Sequence, residues 1–97
     1  MSTYIALSNF TDQGIRSVQD TTKRAEAVQE AAKKFGARMT HIYWTLGHYD
    51  VVAIIEAPDD MSVTALALAI GAAGNVRTQT LRAFSKEEMN GILGKMA

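Results

Sequence analysis

Residues 38–57 read RMTHIYWTLGHYDVVAIIEA, and they decide the fold. The first half, Arg38 to Leu46, is rich in aromatic and β-branched residues, and Asp50–Ala57 (DVVAIIEA) is the clearest strand in the chain. Gly47 and His48 between them read as a turn, so the two halves make a hairpin. Pro58 ends it, because proline has no N–H to give to a ladder. Along the first strand Met39, His41, Tyr43 and Thr45 alternate with Arg38, Thr40, Ile42, Trp44 and Leu46. Apolar groups fall on both parities: Tyr43 against Trp44, and Val51 and Ile55 against Val52 and Ile54. Strands that are apolar on both sides need cover on both sides.

Upstream, Thr3–Asn9 is a further strand, with Ile5 and Leu7 on one face and Tyr4, Ala6 and Ser8 on the other. The TDQG run at 11–14 interrupts it, and a helix follows from about Ser17 to Phe35. Its stripe is Val18, Ala25, Val28, Ala32 and Phe35, surrounded by Lys23, Arg24, Glu26, Glu30, Lys33 and Lys34. Ser17 or Asp20 can cap its start, and Gly36 suits the left-handed position after its end. Downstream, Asp59 or Asp60 caps a second helix over about 60–73, and residues 61–76 carry no charge at all. Residues 76–84 (VRTQTLRAF) alternate as a polar strand suited to an edge. Ser85 and Glu88 form a capping box that starts a last helix, which Gly91 and Gly94 make marginal alone.

The order β-α-β-β-α-β plus a terminal helix predicts an α+β fold, the ferredoxin-like split β-α-β, over one domain spanning 1–97. The expected strand order is 4-1-3-2, with both main helices on one face. The opposite sheet face then needs a partner sheet. Face-to-face pairing into a dimeric α/β barrel is the simplest supply, so a homodimer or higher homo-oligomer is expected.

Composition limits function. Ten Lys and Arg balance ten Asp and Glu, which offers no basic excess for a nucleic-acid backbone or an anionic membrane. With no cysteine, thiolate nucleophiles, iron–sulfur clusters and Cys-containing zinc sites are excluded. No P-loop, Rossmann fingerprint or G-x-S-x-G elbow occurs, and no cofactor is expected. The start, MSTYIALSNF, has no basic segment ahead of a long apolar run, so the cytoplasm is the expected location.

At Gly47-His48-Tyr49-Asp50 the chain resembles the GYD domain family, named for a Gly-x-Tyr-Asp motif at the turn between the second and third strands. Supporting stretches are NFTDQG at 9–14, KRAE at 23–26, YWTLGHYDVV at 43–52, EAPDD at 56–60 and GNVRTQTLRAF at 74–84. The resemblance spans essentially the whole chain and implies relation to dimeric α/β-barrel proteins, which include small monooxygenases and effector-binding domains. It implies no single activity.

The polar residues each have two readings. Gly47 can supply a positive φ, Asp50 can accept backbone N–H bonds, and Tyr49 can lie over the apolar edge. Alternatively His48, Tyr49 and Asp50 bind or protonate a ligand at the mouth of a cleft between sheet and helices. His41, on the parity of Tyr43, is either an interface histidine or a ligand group. Asn9 closes the first strand or meets a ligand there, and the sequence leaves open whether it reaches the Gly47–Asp50 turn. Arg82 pairs with a surface carboxylate or faces an anionic ligand. Trp44 reads as core on the helix side.

Three functions are therefore expected in turn. The first is a self-associating module that binds a small molecule or serves assembly. The second is a cofactor-free monooxygenase or isomerase with an internal cavity lined by His41, Tyr43, Trp44 or Tyr49. The third is metal binding through both histidines and a carboxylate.

Overall fold

The computed structural model describes residues 1–97. Strand β1 (Ser2–Phe10) leads to a one-turn helix α1 (Asp12–Arg16), a 3₁₀ turn at Val18–Asp20 and helix α2 (Thr21–Lys33). The hairpin β2 (Arg38–Trp44) and β3 (Val51–Ala57) follows, then α3 (Asp60–Ala72), β4 (Val76–Ala83) and α4 (Lys86–Gly94). The sheet is antiparallel with order β2-β3-β1-β4, the order expected, which puts the polar β4 at an edge.

Helix α2 begins at Thr21, later than the start expected near Ser17, and the short α1 and the 3₁₀ turn precede it. Thr11 caps α1 by accepting the Gly14 N–H at 3.1 Å. Gly14 then sits so close to Asn75 that an added Cβ would lie 2.0 Å from its carbonyl oxygen. With the Thr11 N–H reaching the Asn75 carbonyl at 3.1 Å, this contact holds the start of α1 against the turn that follows α3. Neither Ser17 nor Asp20 caps the start of α2 with its side chain. At the other end α2 finishes as read: Gly36 has φ +69°, its N–H reaches the Lys33 carbonyl at 3.1 Å, and the Ala37 N–H reaches Ala32 at 3.0 Å. That is a Schellman closure, which needs a left-handed residue. Asp59, rather than Asp60, caps α3, accepting the Ser62 N–H at 2.8 Å.

The hairpin departs from simple alternation. Met39 pairs with Ile55 but His41 pairs with Ile54, so Thr40 is an extra residue in β2. A bulge of this kind shifts side-chain parity by one. Met39 therefore joins Ile42 and Trp44 on the helix side, while His41 and Tyr43 point to the other face. The grouping of Met39 with His41 and Tyr43 is overturned for that reason. β2 also stops at Trp44, two residues short of the expected end.

The core lies between the sheet and the helices. Tyr4, Ala6, Met39, Ala53, Ile55 and Ala57 form its floor, and Ala32, Val63 and Leu66 its roof. Tyr4, 2% exposed, donates its hydroxyl to Asp60 at 2.5 Å and so ties β1 to the start of α3. That bond first, then burial, raises the hydroxyl's pKa above its ordinary value.

Helix α4 stands apart. Its capping box forms as read, with the Ser85 hydroxyl accepting the Glu88 N–H at 3.1 Å and Glu88 accepting the Ser85 N–H at 3.0 Å. Yet α4 packs substantially on no other element, and Phe84, Met89, Leu93 and Met96 are exposed. The radius of gyration, 14.5 Å, exceeds the value of about 13 Å for a compact chain of this length.

Candidate functional site

A recess of about 310 Å³ lies between the sheet and helices α2 and α3. Its origin is legible in side-chain size. The floor carries Ala6, Ser8 and Ala53, and the roof carries Ala27, Ala31, Ala67 and Ala73. Alanine facing alanine leaves space that larger side chains would fill. Of 25 lining residues 19 are hydrophobic, so the chamber favours an apolar occupant.

Polar groups in the chamber are few. On the floor the Ser8 and Thr78 hydroxyls pair at 3.0 Å, with Thr80 further along β4. At the rim Trp44, 42% exposed, donates its indole N–H to the Thr21 hydroxyl at 3.0 Å, linking β2 to α2. Trp44 thus lies on the helix side as read, but at the edge of the chamber rather than inside a sealed core.

Arg24, which the sequence places among the solvated charges around α2, turns inward at the same end. It donates to the Ser17 carbonyl at 2.8 Å, the Ser17 hydroxyl at 2.9 Å and the Gly14 carbonyl at 3.1 Å. Its guanidinium lies 5.9 Å from the Phe10 ring centre, and both residues line the chamber. A signal for it existed. Arg24, Val28 and Ala31 are spaced by four and three, a second helical stripe beside the one through Ala25 and Ala32.

The residues singled out from the sequence gather elsewhere. Asn9 and the Gly47–Asp50 turn do meet, because antiparallel pairing sets the end of β1 beside the start of β3. Asn9 donates to the His48 carbonyl at 2.7 Å. The Asp50 carboxylate accepts the Phe10 N–H at 2.9 Å, and the Asp50 N–H reaches the Ser8 carbonyl at 2.9 Å. Thr45 donates its hydroxyl to the Tyr49 carbonyl at 2.6 Å, and the Tyr49 hydroxyl donates to Gln79 at 3.2 Å. Gly47 has φ +103°, as its turn requires. These bonds engage the Asn9 amide nitrogen, the Tyr49 hydroxyl and one Asp50 carboxylate oxygen in joining β1, β4 and the turn. His48 contributes its backbone, and its side chain is exposed.

His41 and Tyr43 stack on the open sheet face, rings 6.3 Å apart and 15° from parallel, with His41 also against the Thr40 hydroxyl at 3.0 Å. Arg82 lies toward the far end of the sheet, opposite Tyr4 in the ladder. It pairs with Glu88 at 3.2 Å and lies over the Tyr4 and Phe84 rings at 5.6 and 4.5 Å. It therefore fastens α4 to β4, and it does not share a site with His48 or Asn9. Its bond, after the Ser85 N–H, holds the Glu88 carboxyl below its usual range.

The expected enzyme cavity is thus corrected: of His41, Tyr43, Trp44 and Tyr49, only Trp44 lines it. The two histidines lie outside it and supply no proton carrier there. Nor is any set of three His, Asp or Glu side chains placed to hold a metal ion. No helix is long and apolar enough to cross a membrane.

An α+β chain with an antiparallel four-stranded sheet and an apolar chamber under two helices is the class these features define. Residues 4–93 match the family model of the GYD domain, and the chain belongs to that family. It is 38% identical over 84 residues to the "Glutamine synthetase and cystathionine beta-lyase binding protein" of Thermus thermophilus, covering 86% of this chain and 88% of that one. Its fold is similar to the crystal structure of TTHA0845 from the same organism, with a TM-score of 0.57 and 25% identity. That match covers 88% of this chain and 95% of the other.

Proposed function

We propose that this protein is a self-associating, ferredoxin-like binding module: a second copy covers the open sheet face, and the chamber under the helices holds a small apolar ligand. One observation carries the first half. Directly paired residues Ile5 and Ile54, Leu7 and Val52, and Ile5 and Leu81 place a continuous apolar patch on the face that no helix covers. Tyr43, 55% exposed, extends it onto β2. A patch of that kind on a four-stranded sheet favours a self-complementary partner, and two such sheets face to face make a dimeric barrel. The projecting apolar side of α4 gives the same pairing more surface to bury.

Sedimentation equilibrium tests this reading. The native chain is expected to run as a dimer or larger assembly, and Leu7→Lys with Ile54→Lys as a folded monomer. A native chain that stays monomeric at high concentration overturns it.

A second reading rests on the relative's name. A relative described as binding two metabolic enzymes supports a role in docking on other proteins. The part of α3 after Asp60, which carries no charge and leaves Met61 and Leu68 exposed, is the surface that fits such a role. Interferometry against purified glutamine synthetase and cystathionine β-lyase checks it: binding that Leu68→Asp removes supports it, and no binding to either enzyme rejects it.

A further inference from the structure

We infer that the chamber under α2 and α3 takes an amphipathic monocarboxylic acid, with its apolar tail against the alanine-lined walls and its carboxylate on Arg24. The inference rests on the ligand-chamber reading above and adds the chemistry of the head group.

Arg24 is half-buried at one end of a mostly apolar chamber in which it is the one charged group, and no carboxylate pairs with it. The chain's ion pairs are Lys33 with Glu30, Arg38 with Glu56 and Arg82 with Glu88. The three hydrogen bonds that hold Arg24 all go to uncharged oxygens of Gly14 and Ser17. They fix the guanidinium without neutralising it, and they leave further N–H donors free. A guanidinium held in place, partly desolvated and short of an anion is a ready partner for a carboxylate, which it can grip with two parallel bonds.

The rest of the chamber selects what hangs from that carboxylate. Besides Arg24 its lining contains no ionisable group, so a second charge on the ligand would be left unpaired. Its volume of about 310 Å³ stands at the lower end for small-molecule sites, which suits a ligand of modest size. The Ser8 and Thr78 hydroxyls on the floor bond to each other, which leaves one of the two O–H donors for a further partner.

The chain carries its own reporter, since its single tryptophan, Trp44, stands at the rim of the chamber. Trp44 fluorescence is followed while decanoate, decanol or decylamine is added to the full-length protein. Decanoate is expected to give a saturable change and to bind about tenfold or more tightly than the other two. Arg24→Gln should remove that preference while leaving decanol binding unchanged, and Arg24→Lys should restore part of it. Ala31→Leu, which fills the roof, should abolish binding of every probe and so separate the chamber from the open sheet face. If Arg24→Gln fails to fold by circular dichroism, the native probe series and Arg24→Lys decide the matter. Equal affinity for decanoate and decanol, or a preference that survives Arg24→Gln, overturns the carboxylate inference and leaves the chamber reading standing. No saturable change with any probe overturns both.

Discussion

The two faces of the sheet are built from the same strands and meet different fates. On the covered face many side chains are small: Ala6, Ser8, Ala53 and Ala57 lie beside the larger Tyr4, Met39 and Ile55, under helices that are themselves rich in alanine. On the open face they are large: Ile5, Leu7, Val52, Ile54 and Leu81 stand with no helix above them. A chain folding only for its own core would fill the small positions and leave less bulk on the open face. The distribution makes sense when the covered face is read as a chamber and the open face as half of an interface. Under the proposed function, the alanines would keep space for a ligand and the branched residues would meet a second copy of the chain.

Mutations on the two faces should therefore behave differently. The largest effect is expected on the covered side. Leu66 is 1% exposed on α3, and Leu66→Ala should cost about 2–5 kcal/mol, read as a lower midpoint in urea at every protein concentration. Asp50→Ala attacks the junction where β1 meets the turn. It strands the Phe10 N–H, and an expected loss of about 1–3 kcal/mol can be measured in the same titration.

Ile54→Ala on the open face should cost below about 1.5 kcal/mol in dilute protein, because Ile54 is only half-buried in a single chain. In concentrated protein the native chain should gain stability that Ile54→Ala does not, through loss of mass-action stabilisation. A cost independent of concentration would mean that the two faces are equivalent and would break the comparison.

The smallest global effect belongs to α4, which leans on neither face. Glu88 is held below its usual pKa by the Ser85 N–H and then by Arg82. A carboxyl depressed in the folded state contributes stability above its ordinary pKa, and that contribution is lost as pH falls through the depressed value. Acidification should therefore fray α4 while the sheet stays intact. Amide exchange at Met89 and Ile92 should speed up well before any change at Val52 or Ala53, and Ser85→Ala should reproduce the effect at neutral pH.

Much of this was written locally. Alternation marked all four strands, Pro58 closed the hairpin, and Gly36 and Gly47 marked two of the chain's left-handed positions. The Ser85–Glu88 capping box needs only neighbours in the sequence, and it formed as read. The errors share one cause, which is that they depend on contacts across the fold. The place of α1 ahead of α2 depends on Gly14 meeting Asn75, sixty-one positions away in the chain. The bulge at Thr40, which sends Met39 to one face and His41 to the other, exists only in the pairing with β3.

The candidate site divides in the same way. His41, Tyr43, His48 and Tyr49 attracted attention because their side chains carry chemistry, but residue type does not say which way a side chain points. Arg24 was overlooked because a charge on an amphipathic helix normally faces water, and only the carbonyls of Gly14 and Ser17 draw it inward.

By itself the sequence determined the elements, their order and the need for cover on both sides of the sheet, since periodicity and turn chemistry act over a few residues. The tertiary structure alone decided that alanines from β1, β3, α2 and α3 would face one another around a chamber with one unpaired guanidinium at its end. Such a chamber is made by residues distant in the chain, and no local pattern encodes it.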